Sequence, residues 1–223
     1  MNFAVSRHRF ETALDELLRA ALRPGAASIS PRTLAKAMIL GGALQGASMG
    51  AFAFLNGGSA AFILISALKV PLFLGLGAAL MLPALYVLYA LFGLGDEFGV
   101  ALRALIGGQA AFALILASLS PLTLVFYVSG ATYRGALGFN VGLFALAALL
   151  AQNTIRGRVR LLWQRDARHS KLLLIGFGLW AFVAIQLGWN LRPFVGNPDA
   201  PAQFLRPDAF TNAYFALWRL LTG

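Results

Sequence analysis

Residues 59–93 read SAAFILISALKVPLFLGLGAALMLPALYVLYALFG, thirty-five residues carrying a single charge, Lys69. A helix that crosses a bilayer needs about 20 apolar residues, so this run is too long for one crossing and too short for two. Lys69-Val70-Pro71 divides it. The sequence reads as a helix lying in the interface over 59–68, followed by a span over 70–91. Pro71 then falls in the first turn, where its missing N–H costs nothing, and Lys69 snorkels to the headgroups. Pro83, in mid-span, is expected to kink the helix.

The rest of the chain fits this setting. Of its 223 residues, 59% are hydrophobic and 12% charged, with a mean hydropathy of +0.75. Soluble domains carry about a quarter charged residues, so the composition describes an all-α integral membrane protein. A net charge of +10 would suggest nucleic acid in a soluble protein. Here it implies orientation and contact with anionic lipid instead, and no nucleic-acid partner is expected. The chain has no cysteine, which excludes disulfides, thiolate nucleophiles and Cys metal sites. Met1–Leu22 lacks the continuous apolar core of a signal peptide.

Apart from 70–91, spans are expected at about 34–55, 104–128, 135–154 and 172–190, giving a five-helix bundle over 34–190. Gly42, Gly46 and Gly50 form a small-residue ridge on the first span, and Gly135, Gly138 and Gly142 form another on the fourth. Such ridges let helices approach closely. Residues 1–33 form a cytoplasmic segment whose 10–22 stretch, FETALDELLRAAL, is amphipathic at helical period. It suits either the membrane surface or the protein's own cytoplasmic face. At the other end, 208–222 suit an aromatic interfacial helix, so amphipathic helices are expected at both termini. Between the fourth and fifth spans lies a basic loop, 156–171, with Arg156, Arg158, Arg160, Arg165, Arg168 and Lys171, expected to contact lipid. This arrangement puts thirteen of the eighteen Lys and Arg residues on one side of the membrane and five on the other. The positive-inside rule then places the N-terminus in the cytoplasm and the C-terminus outside.

The fifth span runs into GWNLRPFVGNPDAPAQFLRP, residues 188–207, with four prolines. Such a segment is neither helix nor central strand, and irregular backbone is not tolerated against lipid tails. Residues 191–223 therefore read as an extracytoplasmic Pro-rich cap at headgroup level, followed by the interfacial helix. Trp189, Pro193, Phe194 and Phe204 suit the aromatic belt or a docking surface. Arg192 and Arg206 supply polar anchors there.

Little in the sequence suggests chemistry. The two histidines, His8 and His169, lie in basic segments and read as solvated or lipid-facing; no metal site is expected. No carboxylate falls within a span, and proton or cation transporters usually need an intramembrane ionisable group. Gly41-Gly42-Ala43-Leu44-Gln45-Gly46 follows no strand, so it is read as helix packing and not as a dinucleotide loop. Gln45, Gln109 and Gln186 either cross-link helices or converge on a polar pocket for a neutral solute or lipid headgroup. No catalytic residue and no cofactor is expected.

The Lys69-Val-Pro71 step, Leu82-Pro83-Ala84-Leu85-Tyr86 and Trp189-Asn-Leu-Arg-Pro-Phe-Val-Gly-Asn-Pro198 resemble an uncharacterised family of multi-pass bacterial inner-membrane proteins. Its Leu-Arg-Pro-Phe-Val/Ile-Gly segment is followed by Phe-x-Arg-Pro, here Phe204-Leu-Arg-Pro207, and an aromatic terminal helix. The resemblance covers about 35–220; members sometimes carry the labels Yip-like or actin-binding, without a mechanism. It implies a five-helix inner-membrane protein and no activity. The functional expectation is a non-enzymatic subunit that scaffolds or anchors a membrane assembly, through other subunits or self-association. The alternative is a small transporter, channel or lipid-handling protein.

Overall fold

The structure, a computed structural model, describes residues 30–206, and at 31, 154, 158, 159, 161–163 and 165 the backbone alone. The terminal amphipathic helices expected over 10–22 and 208–222 lie outside the described residues. Within them every regular element is helical: α1 Pro31–Leu55, α2 Ala61–Leu91, a 3-10 turn Gly95–Glu97, α3 Phe98–Val128, α4 Tyr133–Arg165 and α5 Arg168–Leu191. All five α-helices are long and apolar enough to cross a membrane, and together they form a five-helix transmembrane bundle. Helix is the natural solution here because in hydrocarbon each backbone N–H and C=O must find its partner within the segment.

Local chemistry sets the helix ends. The Ser30 hydroxyl accepts from the Thr33 N–H at 3.2 Å, with Pro31 in the first turn, as N-terminal capping requires. At the other end of α1 the Asn56 amide donates to the Phe52 carbonyl at 2.8 Å. Gly57 then takes a left-handed conformation, φ +82°, that a side chain would resist.

The 59–93 run does not divide at Lys69. It is one helix of 31 residues, continuous through Lys69, Pro71 and Pro83. At 1.5 Å per residue α2 is about 46 Å long, which crosses a hydrocarbon core of about 30 Å with overhang at both ends. The physical reason is economy of unpaired groups. Pro71 deletes one helical hydrogen bond, whereas a break there would expose several backbone groups to lipid.

The glycine ridge on α1 lets α2 pack closely. A methyl at Gly46 would lie 2.7 Å from the Ser66 carbonyl carbon, and one at Gly50 would lie 2.6 Å from that of Phe62. At Gly42 it would meet the Pro71 nitrogen at 3.2 Å. Gly41 makes the same close approach on another face, 2.7 Å from the Ala113 carbonyl oxygen of α3. The expected ridge on α4 behaves differently. Gly138 and Gly142 meet nothing within 4 Å, and Gly135 lies by the Thr132 hydroxyl at the helix start. The face of α4 that packs is instead Ala136, Asn140, Leu143, Ala147 and Ala151, all buried.

The helices form an arc in the order α5, α2, α1, α3, α4, with α2 and α3 also meeting behind α1. The two ends of the arc, α4 and α5, touch only lightly. The segment expected to be a basic loop is largely helical: α4 runs to Arg165 and α5 starts at Arg168. Arg168 donates to the Phe92 carbonyl at 2.6 Å and pairs with Asp166, which ties the α4–α5 and α2–α3 turns together. His169 is not solvated as expected; it is 2% exposed and paired with Glu97. Arg156, Arg160 and Lys171 are exposed.

Candidate functional site

The opposite face of the bundle carries the candidate site. After α5 ends at Leu191, the chain leaves helix and runs along the first turns of α2. The Pro193 carbonyl accepts from the Lys69 ammonium at 2.7 Å, and that of Phe194 from the Ser66 hydroxyl at 2.6 Å. Higher up, Gly196 packs on Ala53 and Phe62, and Pro198 on Gly58. Lys69 is eight residues into α2, about 12 Å from its end. For a centred helix that is about 4 Å inside the hydrocarbon boundary.

Irregular backbone is tolerated at this depth only when the protein itself buries it. Val195 is accordingly 1% exposed. Lys69, expected to snorkel, is itself fully buried and also faces the Phe204 ring, 5.3 Å from its centroid. An amine with three donors serves as the partner for a carbonyl that lipid could not satisfy. The Arg192 guanidinium stacks on Trp189 at 3.1 Å, and Phe194 packs edge-on against Phe73 at 5.9 Å.

This segment closes one end of a groove that fills the gap between α4 and α5. The cavity measures about 1010 Å³ and its walls are mainly apolar, among them Phe73, Val141, Phe144, Leu149, Trp180 and Ile185. Polar groups gather at the end nearest the 192–206 segment: Tyr133, Asn140, Arg192, Asn197, Gln203 and Arg206. Val141 and Leu149, which line it, are 69% and 61% exposed, so the groove opens sideways from the bundle. Phe194, Phe73, Phe144 and Trp180 line its inner wall, with Phe194 on Phe73 and Phe73 on Phe144, and Phe112 stands behind them against Phe144 and Trp180.

The three glutamines do not converge. Gln45 is buried and donates to Thr123 at 3.3 Å and to Asn140 at 3.2 Å, with Asn140 in turn donating to the Tyr127 hydroxyl at 2.6 Å. This network cross-links α1, α3 and α4. Gln109 lines a second, smaller cavity of about 80 Å³, and its carbonyl oxygen is buried without a hydrogen-bond partner. Gln186 donates along α5 to Asn190 at 3.2 Å. The two cavities share Ala148, Phe177 and Trp180 in their walls. Among the described residues no group of three metal-ligating side chains occurs.

Of the anchors read from sequence, Trp189, Arg192, Pro193, Phe194 and Phe204 all belong to the closing segment or its contacts. Arg206 lines the groove. Ser66, Tyr133 and the groove itself were missed. Ser66 and Tyr133 look generic in sequence, and only the gap between α4 and α5 gives them a role. No family model, curated protein or solved structure matches the chain.

Proposed function

We propose that this is a non-enzymatic, lipid-handling protein of the bacterial inner membrane, which takes the hydrophobic tail of a membrane lipid into the groove between α4 and α5. The observation that carries the proposal is the groove's size and opening. At about 1010 Å³ it matches the upper end of the roughly 300–1,000 Å³ seen for small-molecule sites. It is apolar along most of its length and opens towards the bilayer. Each tail CH₂ transferred from water into such a site is worth about 0.8 kcal/mol, but a lipid tail starts in hydrocarbon. Selection must therefore come from shape and from the polar end.

Trp180 in the wall reports occupancy. In a variant with Trp163, Trp189 and Trp218 changed to Phe, lipids brominated on the tail should quench Trp180. Filling the groove with Ala145→Phe and Ala184→Phe should remove that quenching. Equal quenching in the filled variant would mean that Trp180 senses bulk lipid, and the reading would fail.

The scaffold reading keeps one support, the α4 glycines Gly138 and Gly142, where a methyl would meet nothing within 4 Å among the described residues, leaving room to seat a helix of another subunit. Native mass spectrometry from mild detergent tests it: a lone monomer with no co-purifying protein counts against it. The solute-pathway reading loses its support, because Gln45, Gln109 and Gln186 occupy separate sites. The distribution of Lys and Arg supports a cytoplasmic N-terminus, which puts the groove's polar end at the outer leaflet.

A further inference from the structure

We infer that the polar end of the groove is a headgroup site selective for lipids bearing a net negative phosphate headgroup, read by Arg192 and Arg206 together with the Tyr133 hydroxyl. The inference rests on the groove holding a lipid tail, and it adds the chemical class of the lipid. Three observations carry it.

The first is charge. Among the described residues, the charged side chains lining the cavity are two arginines, Arg192 and Arg206. A net-negative headgroup is complementary to them, and the cation of a zwitterionic one is not.

The second is convergence from separate parts of the fold. Tyr133 opens α4, Arg192 follows α5, and Arg206 lies fourteen residues further along the chain. Both guanidiniums nevertheless lie close enough to the Tyr133 hydroxyl to act on it electrostatically. Arginine's planar fork suits two-point recognition of phosphate, and a phenol adds a third donor. Asn197 and Gln203, on the rim, bring neutral donors suited to glycerol or sugar hydroxyls.

The third is position. Arg192 is held next to Pro193, whose carbonyl meets Lys69 about 12 Å down α2. A cation near the hydrocarbon boundary is costly and usually marks a ligand or ion site. Stacking on Trp189 fixes the guanidinium plane beside the groove, so little side-chain entropy remains to be lost on binding. The carbonyls of 193 and 194 are already bonded to Lys69 and Ser66, so the segment stands as a preformed wall.

The test uses the full chain in nanodiscs with Trp163 and Trp218 changed to Phe and Trp189 kept, so that its stack on Arg192 survives. The quenching lost on Ala145→Phe with Ala184→Phe is assigned to Trp180, and tail-brominated phosphatidylglycerol is compared with tail-brominated phosphatidylcholine. Phosphatidylglycerol should reach half-maximal quenching at a mole fraction lower by on the order of tenfold, the scale of two basic residues acting on an anionic lipid. Arg192→Gln with Arg206→Gln should make the two lipids equal without abolishing quenching. Arg192→Lys, which keeps the charge, should retain the preference and guards against a folding defect at 192. Arg156→Gln with Arg160→Gln, on the opposite face, should leave the preference intact. Equal potency of the two lipids in the parent protein overturns the headgroup inference while leaving the tail site standing. A preference that follows Arg156 and Arg160 instead overturns it in favour of general surface charge. No quenching beyond the groove-filled variant means that the tail reading itself has failed.

Discussion

Replacing Gly46 with alanine puts a methyl group where α1 and α2 are closest. The new Cβ would lie 2.7 Å from the carbonyl carbon of Ser66 and 2.9 Å from Cα of Ala67, where ordinary contact begins at 3.4 Å. The obstruction is backbone, so no rotamer change relieves it, and the helices must separate locally by about 1 Å. A gap of that size forfeits roughly a quarter to a half of the dispersion energy of the contacts it opens. Overpacking of this kind costs about 1–3 kcal/mol. Against it stands the better helix propensity of alanine, about 1 kcal/mol at most. Strain wins, and a net loss of about 1–2 kcal/mol is expected, with the Ser66 and Lys69 donors displaced from the 193–194 carbonyls. Gly138→Ala is the control: it meets nothing within 4 Å, so only the propensity gain of up to about 1 kcal/mol remains. Reversible unfolding in mixed SDS micelles, followed by circular dichroism, measures both. A Gly46→Ala protein as stable as the parent would refute the packing argument.

Four further outcomes are expected. Ser66→Ala removes the donor to the Phe194 carbonyl and should cost about 1–2 kcal/mol, with faster hydrogen exchange at residues 194–196; unchanged exchange would mean that the hydroxyl does not hold the segment. Gln109→Leu replaces a buried carbonyl oxygen that lacks a partner, so stability should be unchanged or higher, and a loss above about 1 kcal/mol would point to bound water there. Asp166 is held below the ordinary carboxylate range, first by its side-chain hydrogen bond from Arg168; its contribution is present at neutral pH and lost as pH falls through that lowered value. Asp166→Asn should therefore lower the melting temperature slightly at neutral pH and leave it nearly unchanged at acid pH, flattening the acid limb, as a pH series of melting temperatures would record. Reporter fusions after Lys171 and after Gly223 should score on opposite sides of the membrane, the first cytoplasmic, and both scoring on one side would overturn the odd span count.

The sequence was legible where one-dimensional chemistry suffices. Long apolar runs in a chain with so few charges leave helix as the spanning structure, and five helices followed. Gly42, Gly46 and Gly50, spaced four apart, pointed correctly to a close helix contact. The same spacing at Gly138 and Gly142 meets no partner among the described residues, because spacing locates a narrow face without saying whether a partner stands opposite. Pro71 and Lys69 looked like a boundary, since each is a poor guest in a membrane helix taken alone.

Only the tertiary structure decided otherwise. It brought the carbonyl of Pro193, more than a hundred residues away, to the Lys69 ammonium, and so a charge that sequence reasoning sent to the headgroups became an internal anchor. His169 stayed buried for the same reason, with Glu97 from another turn beside it. The groove had no sequence signal at all. It is the space left where the ends of a five-helix arc touch only lightly, and its polar end assembles from Tyr133, Arg192 and Arg206, which no local pattern connects. Hydrophobicity and helix period are properties of neighbouring residues and can be read along the chain. Cavities and satisfied buried charges depend on residues distant in sequence, and they exist only once the helices have packed.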